Sequence, residues 1–325
     1  MRAVVCPELG PPDVLVVEER GPLTPGPGQV LVDVEAAGVN YVDALFVAGR
    51  YQIRPPVPFV PGSEICGRVA ALGEGVATPP VGARVMGMPG LGGFAEQVVL
   101  AADAVVEVPD ELDATRAATF IQSWCTALFA LTRRTQVEPG ERVLVLGAAG
   151  GVGQATIGVA GALGAEVIAV ASSPAKRAAA LAAGAAAVID PDTEDLKIRA
   201  RELGGGGVDV VVDPVGGALA EPALRALRTG GRYLVIGFAS GDIPALPLNQ
   251  VLLNNRTVLG VDWGAWAMRH PDAQRALLEE ALAMVRAGRV HPVAPTTYPL
   301  ERAAEALADL EGRRVVGKVA LVTGR

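Results

Sequence analysis

Between residues 2 and 112 the apolar positions come in short runs broken by glycine and proline. Runs at 14–18, 30–35, 57–62, 68–72, 83–88 and 94–100 are β-branched or alternate apolar with polar, and Pro22, Pro25, Gly26, Pro27 and Gly28 punctuate them. A period of two with such turns predicts strands, so this stretch reads as an all-β module. From about Asp113 the pattern changes. Alanine-rich helical stretches alternate with short apolar strands at 142–146, 166–171, 187–189, 208–212 and 232–236. Near-continuous Val/Leu/Ile strands separated by helices predict βαβ units in a parallel sheet covered on both faces. A strand at 257–261, helices at 271–287 and 300–310 and a last strand at 318–322 follow. The pattern predicts an α/β chain: a β module, a doubly wound domain, and a tail able to rejoin the first module.

Composition narrows the class. The 325 residues are 50% hydrophobic and 19% charged, as in a globular protein of about two domains. A net charge of −7 disfavours a chain built to hold nucleic acid. Residues 1–8 lack the charged-then-apolar run of a signal peptide, and no apolar run approaches the roughly 20 residues that span a bilayer. A cytoplasmic enzyme with no membrane association is the expectation. Cys6, Cys66 and Cys125 are far apart, which makes neither a disulfide framework nor a CxxC site. The only histidines, His270 and His291, leave no inventory for a histidine metal site or a Ser-His-Asp triad.

Nucleotide chemistry shows at Gly147-Ala148-Ala149-Gly150-Gly151-Val152-Gly153, placed after a buried strand and opening a helix. Glycines there allow a tight turn and bring backbone N–H groups to a pyrophosphate at the helix N-terminus, where the dipole favours anions. Ala148 replaces the first glycine of the usual fingerprint. Dinucleotide domains specific for NAD carry an acid at the end of the next strand; here it ends Ala171-Ser172-Ser173-Pro174-Ala175-Lys176-Arg177. Hydroxyls and an ammonium bind a 2′-phosphate that a carboxylate would repel, which predicts NADPH. The three lysines are Lys176, Lys197 and Lys318, so a lysine at this place carries information. The same residues also fit a plain helix start, with Ser172 or Ser173 as N-cap and Pro174 at the first position.

With these residues in place the chain resembles the medium-chain dehydrogenase/reductases, and within them the quinone oxidoreductases. The marks are Ala36-Ala37-Gly38-Val39-Asn40-Tyr41-Val42-Asp43, Val60-Pro61-Gly62-Ser63-Glu64, the glycine loop, Asp213-Pro214-Val215-Gly216-Gly217 and Gly317-Lys318-Val319. The resemblance implies a GroES-like catalytic domain (1–118 and 258–325) split around a Rossmann NADPH-binding domain (119–257). The zinc enzymes of that superfamily have a cysteine and a histidine where this chain has Asn40 and Ser63, and their third ligand position looks like Gln122. The four-cysteine structural zinc lobe has no counterpart. Amides and a hydroxyl do not make a tight zinc site, which leaves no Lewis acid for alcohol oxidation. Reduction of a conjugated acceptor remains open, because quinones and enones delocalise the charge themselves.

The resemblance also implies site residues. Asn40, Tyr41, Tyr51 and Thr126 should line the nicotinamide pocket, with Tyr51 placed to donate a hydrogen bond or proton, or only to wall the cleft. Ala149, Gly150, Gly151 and Val152 should meet the pyrophosphate, and Ser172, Ser173 and Lys176 the 2′-phosphate. Gly237 and Phe238 should follow the fifth strand of the nucleotide domain near the nicotinamide. Arg313 aligns with an arginine near the phosphate in some relatives and otherwise forms a solvated pair with Arg314. Asp190-Pro191 stands where many quinone reductases add a tyrosine. Trp263 and Trp266 fit either a substrate wall or a subunit contact. The activity implied is NADPH-dependent reduction of a quinone or enone without metal. The alternatives are an enoyl-thioester or alkenal double-bond reductase, and a non-catalytic crystallin-like or RNA-binding relative. A homodimer is expected, formed through the apolar strand at 257–261 as the edge of the nucleotide-binding sheet; the alternative is that the helix at 271–287 covers this strand within one chain.

Overall fold

The alternating runs of the N-terminal stretch pair as strands. The computed structural model describes residues 1–324, and in it β1 (Arg2–Val5) and β2 (Val16–Glu19) pair antiparallel. Then come β3 (Gln29–Val39), helix α1 (Tyr41–Val47), β4 (Glu64–Leu72), β5 (Arg84–Gly87), β6 (Gln97–Ala101), β7 (Val105–Glu107) and α2 (Ala114–Ala117). After α3 (Ile121–Phe129) the βα alternation begins. It runs through β8 (Arg142–Val145), α4 (Gly151–Ala162), β9 (Glu166–Val170), α5 (Pro174–Ala182), β10 (Ala187–Ile189) and α6 (Leu196–Leu203). It continues with β11 (Val208–Asp213), α7 (Ala220–Ala226), β12 (Leu227–Val235), α8 (Leu248–Leu252), β13 (Thr257–Gly260), α9 (Trp263–Arg269) and α10 (Pro271–Arg286). The chain closes with β14 (Thr296–Pro299), α11 (Ala303–Glu311) and β15 (Val319–Val322).

Two units result: Met1–Ile121 with Pro292–Arg325, and Gln122–His291. In the first, the sheet order is β14-β15-β3-β4-β5-β7, with β6 also paired to β3. Strand β15 lies antiparallel on β3, Val319 facing Val39 and Val322 facing Ala36, so the tail does rejoin the N-terminal module. Val30, Val32, Val34, Ile65, Phe94, Leu300 and Leu321 fill its core. Helix α1 corrects the all-β expectation. Asn40 and Asp43 form a capping box that starts a helix inside the stretch expected to be all-β. Residues 57–62 form no strand; only Phe59 makes an isolated bridge, to Cys6.

In the second unit six parallel strands are ordered β10-β9-β8-β11-β12-β13, the doubly wound arrangement whose order reverses between β8 and β11. Leu144, Ile168, Val211 and Tyr233 lie within its core, each apolar side chain contributing about 1.5–3 kcal/mol by burial. The unit extends to His291, beyond the boundary at 257 expected from the resemblance. Strand β13 completes this sheet by pairing parallel with β12, and α9 and α10 stay with it.

Candidate active site

In the second unit the loop after β8 sits at the reversal of strand order, where open α/β sheets bind ligands. Gly147 has φ +58°, and a Cβ there would fall 2.7 Å from Val215 Cγ2. A Cβ on Gly153 would lie 2.5 Å from the Gly147 carbonyl oxygen. The loop is pinned by the Ala148 N–H, which donates to Val170 O at 3.1 Å. Gly150 caps α4, so the N–H groups of Gly151, Val152 and Gly153 open the helix with no carbonyl four residues back. Such a cradle fits a pyrophosphate.

At the end of β9, Ser173 is the N-cap of α5 and accepts from the Lys176 N–H at 3.3 Å, with Pro174 at the first helical position. The helix-start reading therefore holds, and Ser172, Ser173 and Lys176 all belong to that turn and the first turn of α5. Arg177 is committed elsewhere: it donates to Ser172 O at 2.9 Å and pairs with Asp190 at 2.8 Å. That pairing gives the Asp190 carboxylate a counterion.

The loops after β11 and β12 are held by Asp213, a buried residue. Its Oδ1 accepts the N–H groups of Val215 and Gly216 at 2.7 and 2.8 Å, and its Oδ2 accepts the Tyr233 hydroxyl at 2.6 Å. Its carbonyl accepts from Ile236 and Gly237, while Ala239 donates to Pro214 O. Burial, reinforced by the Asp213 carboxylate, pushes the Tyr233 phenol well above its ordinary range, so it stays a donor. Gly237 and Phe238 are thereby fixed beside the Asp213–Gly217 turn. Thr126 lies on α3 in the same unit, its hydroxyl donating to Gln122 O at 2.6 Å. Trp263 is buried and donates to Gln274 Oε1 at 2.7 Å, while Trp266 packs on Phe129 with ring centroids 4.7 Å apart.

In the first unit Asn40 begins α1, and its surroundings are polar and buried. Asn40 Nδ2 donates to Glu64 Oε1 at 3.0 Å and Ser63 Oγ at 3.3 Å. Lys318 Nζ donates to Asn40 Oδ1 and, at 2.8 Å, to Glu64 Oε1. Glu64 and Asp43 are fully buried. The Asn40 N–H donates to Asp43 Oδ2 at 2.8 Å, whereas Asp43 Oδ1 has no hydrogen-bond partner. Burial pushes the Asp43 carboxyl up to about 7 against the pull of the Asn40 N–H, the Ser63 hydroxyl and Lys318. Tyr41 opens α1, and Tyr51 sets its ring edge-on to Phe46, centroids 4.8 Å apart. Arg313 lies past α11 with φ +54°, and its neighbour Arg314 pairs with Asp309.

Of the residues expected from sequence, the glycine loop, Ser172, Ser173, Lys176, Gly237, Phe238 and Thr126 fall in one unit. Asn40, Tyr41, Tyr51 and Arg313 fall in the other. Asp43, Glu64, Asp213 and Lys318 lie inside the sequence motifs with no role legible there; the rarity of lysine is the signal that marks Lys318.

The residues around Asn40 do not fit zinc. They offer an amide, a hydroxyl and a carboxylate, and an ammonium already lies on two of those oxygens.

Residues 26–110 match the alcohol dehydrogenase GroES-like domain, and residues 151–283 the zinc-binding dehydrogenase family. Quinone oxidoreductase-like protein 2 of Bos taurus is 38% identical over 322 residues, covering 98% of this chain and 92% of its own length. A mycobacterial protein solved with NADPH superposes with TM-score 0.91 at 32% identity, covering 99% of both chains. The Escherichia coli quinone oxidoreductase complexed with NADPH superposes with TM-score 0.91 at 28% identity, covering 99% of this chain and 100% of the other.

Proposed function

Given that the chain belongs to the quinone oxidoreductase-type medium-chain dehydrogenase/reductases, we propose that it is an NADPH-dependent reductase that passes a hydride to a quinone or related conjugated carbonyl without a metal. The carrying observation is the pair of turns at the sheet's reversal. One offers open helix N–H groups; the other offers Ser172, Ser173 and Lys176, with Asp190 already paired to Arg177. The NADPH in the two solved relatives supports the same cofactor here.

The nicotinamide supplies the hydride when bound. The chain's part is to bind and orient. Gly150, Gly151 and Val152, with Ala149 before them, receive the pyrophosphate; Ser172, Ser173 and Lys176 receive the 2′-phosphate. Gly237 and Phe238, held by Asp213, shape the nicotinamide's surroundings. Thr126 keeps its hydroxyl oxygen as an acceptor because its proton goes to Gln122 O. Asn40 has both amide hydrogens engaged, so toward a ligand it offers only its oxygen. Tyr41 and Tyr51 carry the phenols able to donate to the acceptor's oxygen. Conjugated acceptors suit this set, since their developing charge needs hydrogen-bond donors rather than a Lewis acid.

The protein is proposed to act as a homodimer through β13. That strand ends its sheet, Val258 is 39% exposed, and Ile243, Leu248, Leu252 and Leu253 before it are each at least 73% exposed. An apolar edge of this kind invites pairing. No helix among the described residues is long and apolar enough to cross a membrane. The test of function is NADPH oxidation against 1,2- and 1,4-quinones, alkenals and enoyl-CoAs. Turnover of quinones with NADPH well ahead of NADH is expected; turnover confined to enoyl-CoAs would transfer the activity to the double-bond reductases, and none at all would refute catalysis.

A further inference from the structure

The geometry points to Lys318 as the built-in cation of the Asn40–Glu64 cluster: its ammonium occupies the place a metal ion would need, fixes the Asn40 amide and keeps divalent cations out. This rests on the metal-free reading above and goes beyond it, since it locates exclusion in one side chain rather than in the missing cysteine and histidine. Asn40 Oδ1 and Glu64 Oε1, the oxygens a hard cation would take, both accept from Lys318 Nζ. Glu64 is fully buried and Lys318 side-chain exposure is only 12%. A buried carboxylate needs a paired charge. The carboxylate has nowhere to swing, because it lies against the backbone of β3: a Cβ on Gly38 would be 2.6 Å from Glu64 Oε1 and 2.2 Å from Ala118 O.

Lys318 also decides which way Asn40 faces. With both Nδ2 hydrogens given to Ser63 and Glu64, the amide oxygen turns to the ammonium. The reverse orientation would set an NH2 group against the ammonium and an oxygen against the carboxylate. Lys318 is thus a positioning residue. Asp43, whose Oδ2 accepts the Asn40 N–H at 2.8 Å, has a buried Oδ1 with no hydrogen-bond partner. Removing the ammonium leaves Asn40 Oδ1 and Glu64 Oε1 as a pair of oxygens of the kind that binds Mn²⁺, with Ser63 and Asp43 hydrogen-bonded to Asn40 behind them.

The three lysines make the test direct. In protein labelled with [¹⁵N]lysine, one Nζ signal should persist at neutral pH through slow hydrogen exchange and vanish in Lys318→Arg. In Mn²⁺ titrations followed by electron paramagnetic resonance, wild type and Lys318→Arg should leave the ion free. Folded Lys318→Ala should bind one ion per chain, and Lys318→Ala/Glu64→Gln should lose it. A wild type with no protected ammonium signal overturns the inference whatever the variants do, as does a folded Lys318→Ala that binds no Mn²⁺. An active NADPH reductase lacking the signal fails this inference alone; a protein with the signal but no turnover fails the reductase reading alone.

Discussion

Tyr233→Phe removes one oxygen from the centre of the nucleotide-binding unit. The lost bond is the 2.6 Å donation to Asp213 Oδ2, and both residues are no more than 1% exposed. Oδ1 keeps its two backbone donors, but Oδ2 loses the Tyr233 hydroxyl in a place that water does not reach. A hydrogen bond to a charged group, with the acceptor left buried, is worth about 1.5–3 kcal/mol. The protein carries its own control. Tyr298 donates to Asp309 Oδ2 at 2.5 Å in the other unit, but the Asp309 side chain is 21% exposed and also accepts from Arg314. Water and Arg314 can take over there, so Tyr298→Phe should cost only about 0.5–1 kcal/mol. At roughly 2–4 °C per kcal/mol, calorimetry should show Tyr233→Phe lowering the transition of its unit by about 3–12 °C, a larger shift than that of Tyr298→Phe. The alkaline limb gives a second readout. The Tyr233 phenol is raised in the folded state, so above its unfolded value of 10.0 the unfolded chain releases a proton that the folded chain retains. Stability therefore falls as pH rises past that point, and Tyr233→Phe should flatten the fall. Equal, small shifts for the two phenylalanine variants would refute the argument that burial sets the cost.

Lys176→Ala should weaken NADPH by about 1–3 kcal/mol in fluorescence titrations and leave NADH nearly unchanged; equal losses would remove Lys176 from the phosphate site. Activity should survive exhaustive chelation, with no stoichiometric zinc by elemental analysis. Leu259→Lys should convert a dimer to monomer in sedimentation at micromolar protein, whereas a monomeric wild type would reject edge pairing. The Asp43 carboxyl, lifted from 3.8 to about 7, holds a proton that the unfolded chain has lost across that window. Stability should fall by up to about 4 kcal/mol as pH rises through it, and Asp43→Asn should flatten urea midpoints measured at pH 5 and pH 8.

Most of the nucleotide-binding unit could be read from the sequence because its signals are local: apolar runs, a glycine loop, a serine cap before proline. Strand β10 was placed to the residue for that reason. Helix α1 was lost because its capping box sits directly after the long strand β3, and β-branched residues carry the strand pattern across the boundary. The boundary at 257 follows from the resemblance, whereas the apolar strand at 257–261 reads as an edge of the nucleotide-binding sheet, and β13 does pair there with β12. The cluster around Asn40 was out of reach because Glu64 and Lys318 are 254 residues apart, and only the sheet brings them together.

That separation orders events during synthesis. The unit from Gln122 to His291 is contiguous and can close as soon as it leaves the ribosome. The other unit cannot, since β3 waits for β15, and Glu64 waits for the ammonium next to that strand. Until residues 318–322 dock, a carboxylate destined for full burial has no counterion and must stay hydrated, holding the N-terminal sheet open. A chain cut short before Lys318 would therefore display a finished nucleotide fold beside an unfinished partner, and quality-control proteases would find the β module first.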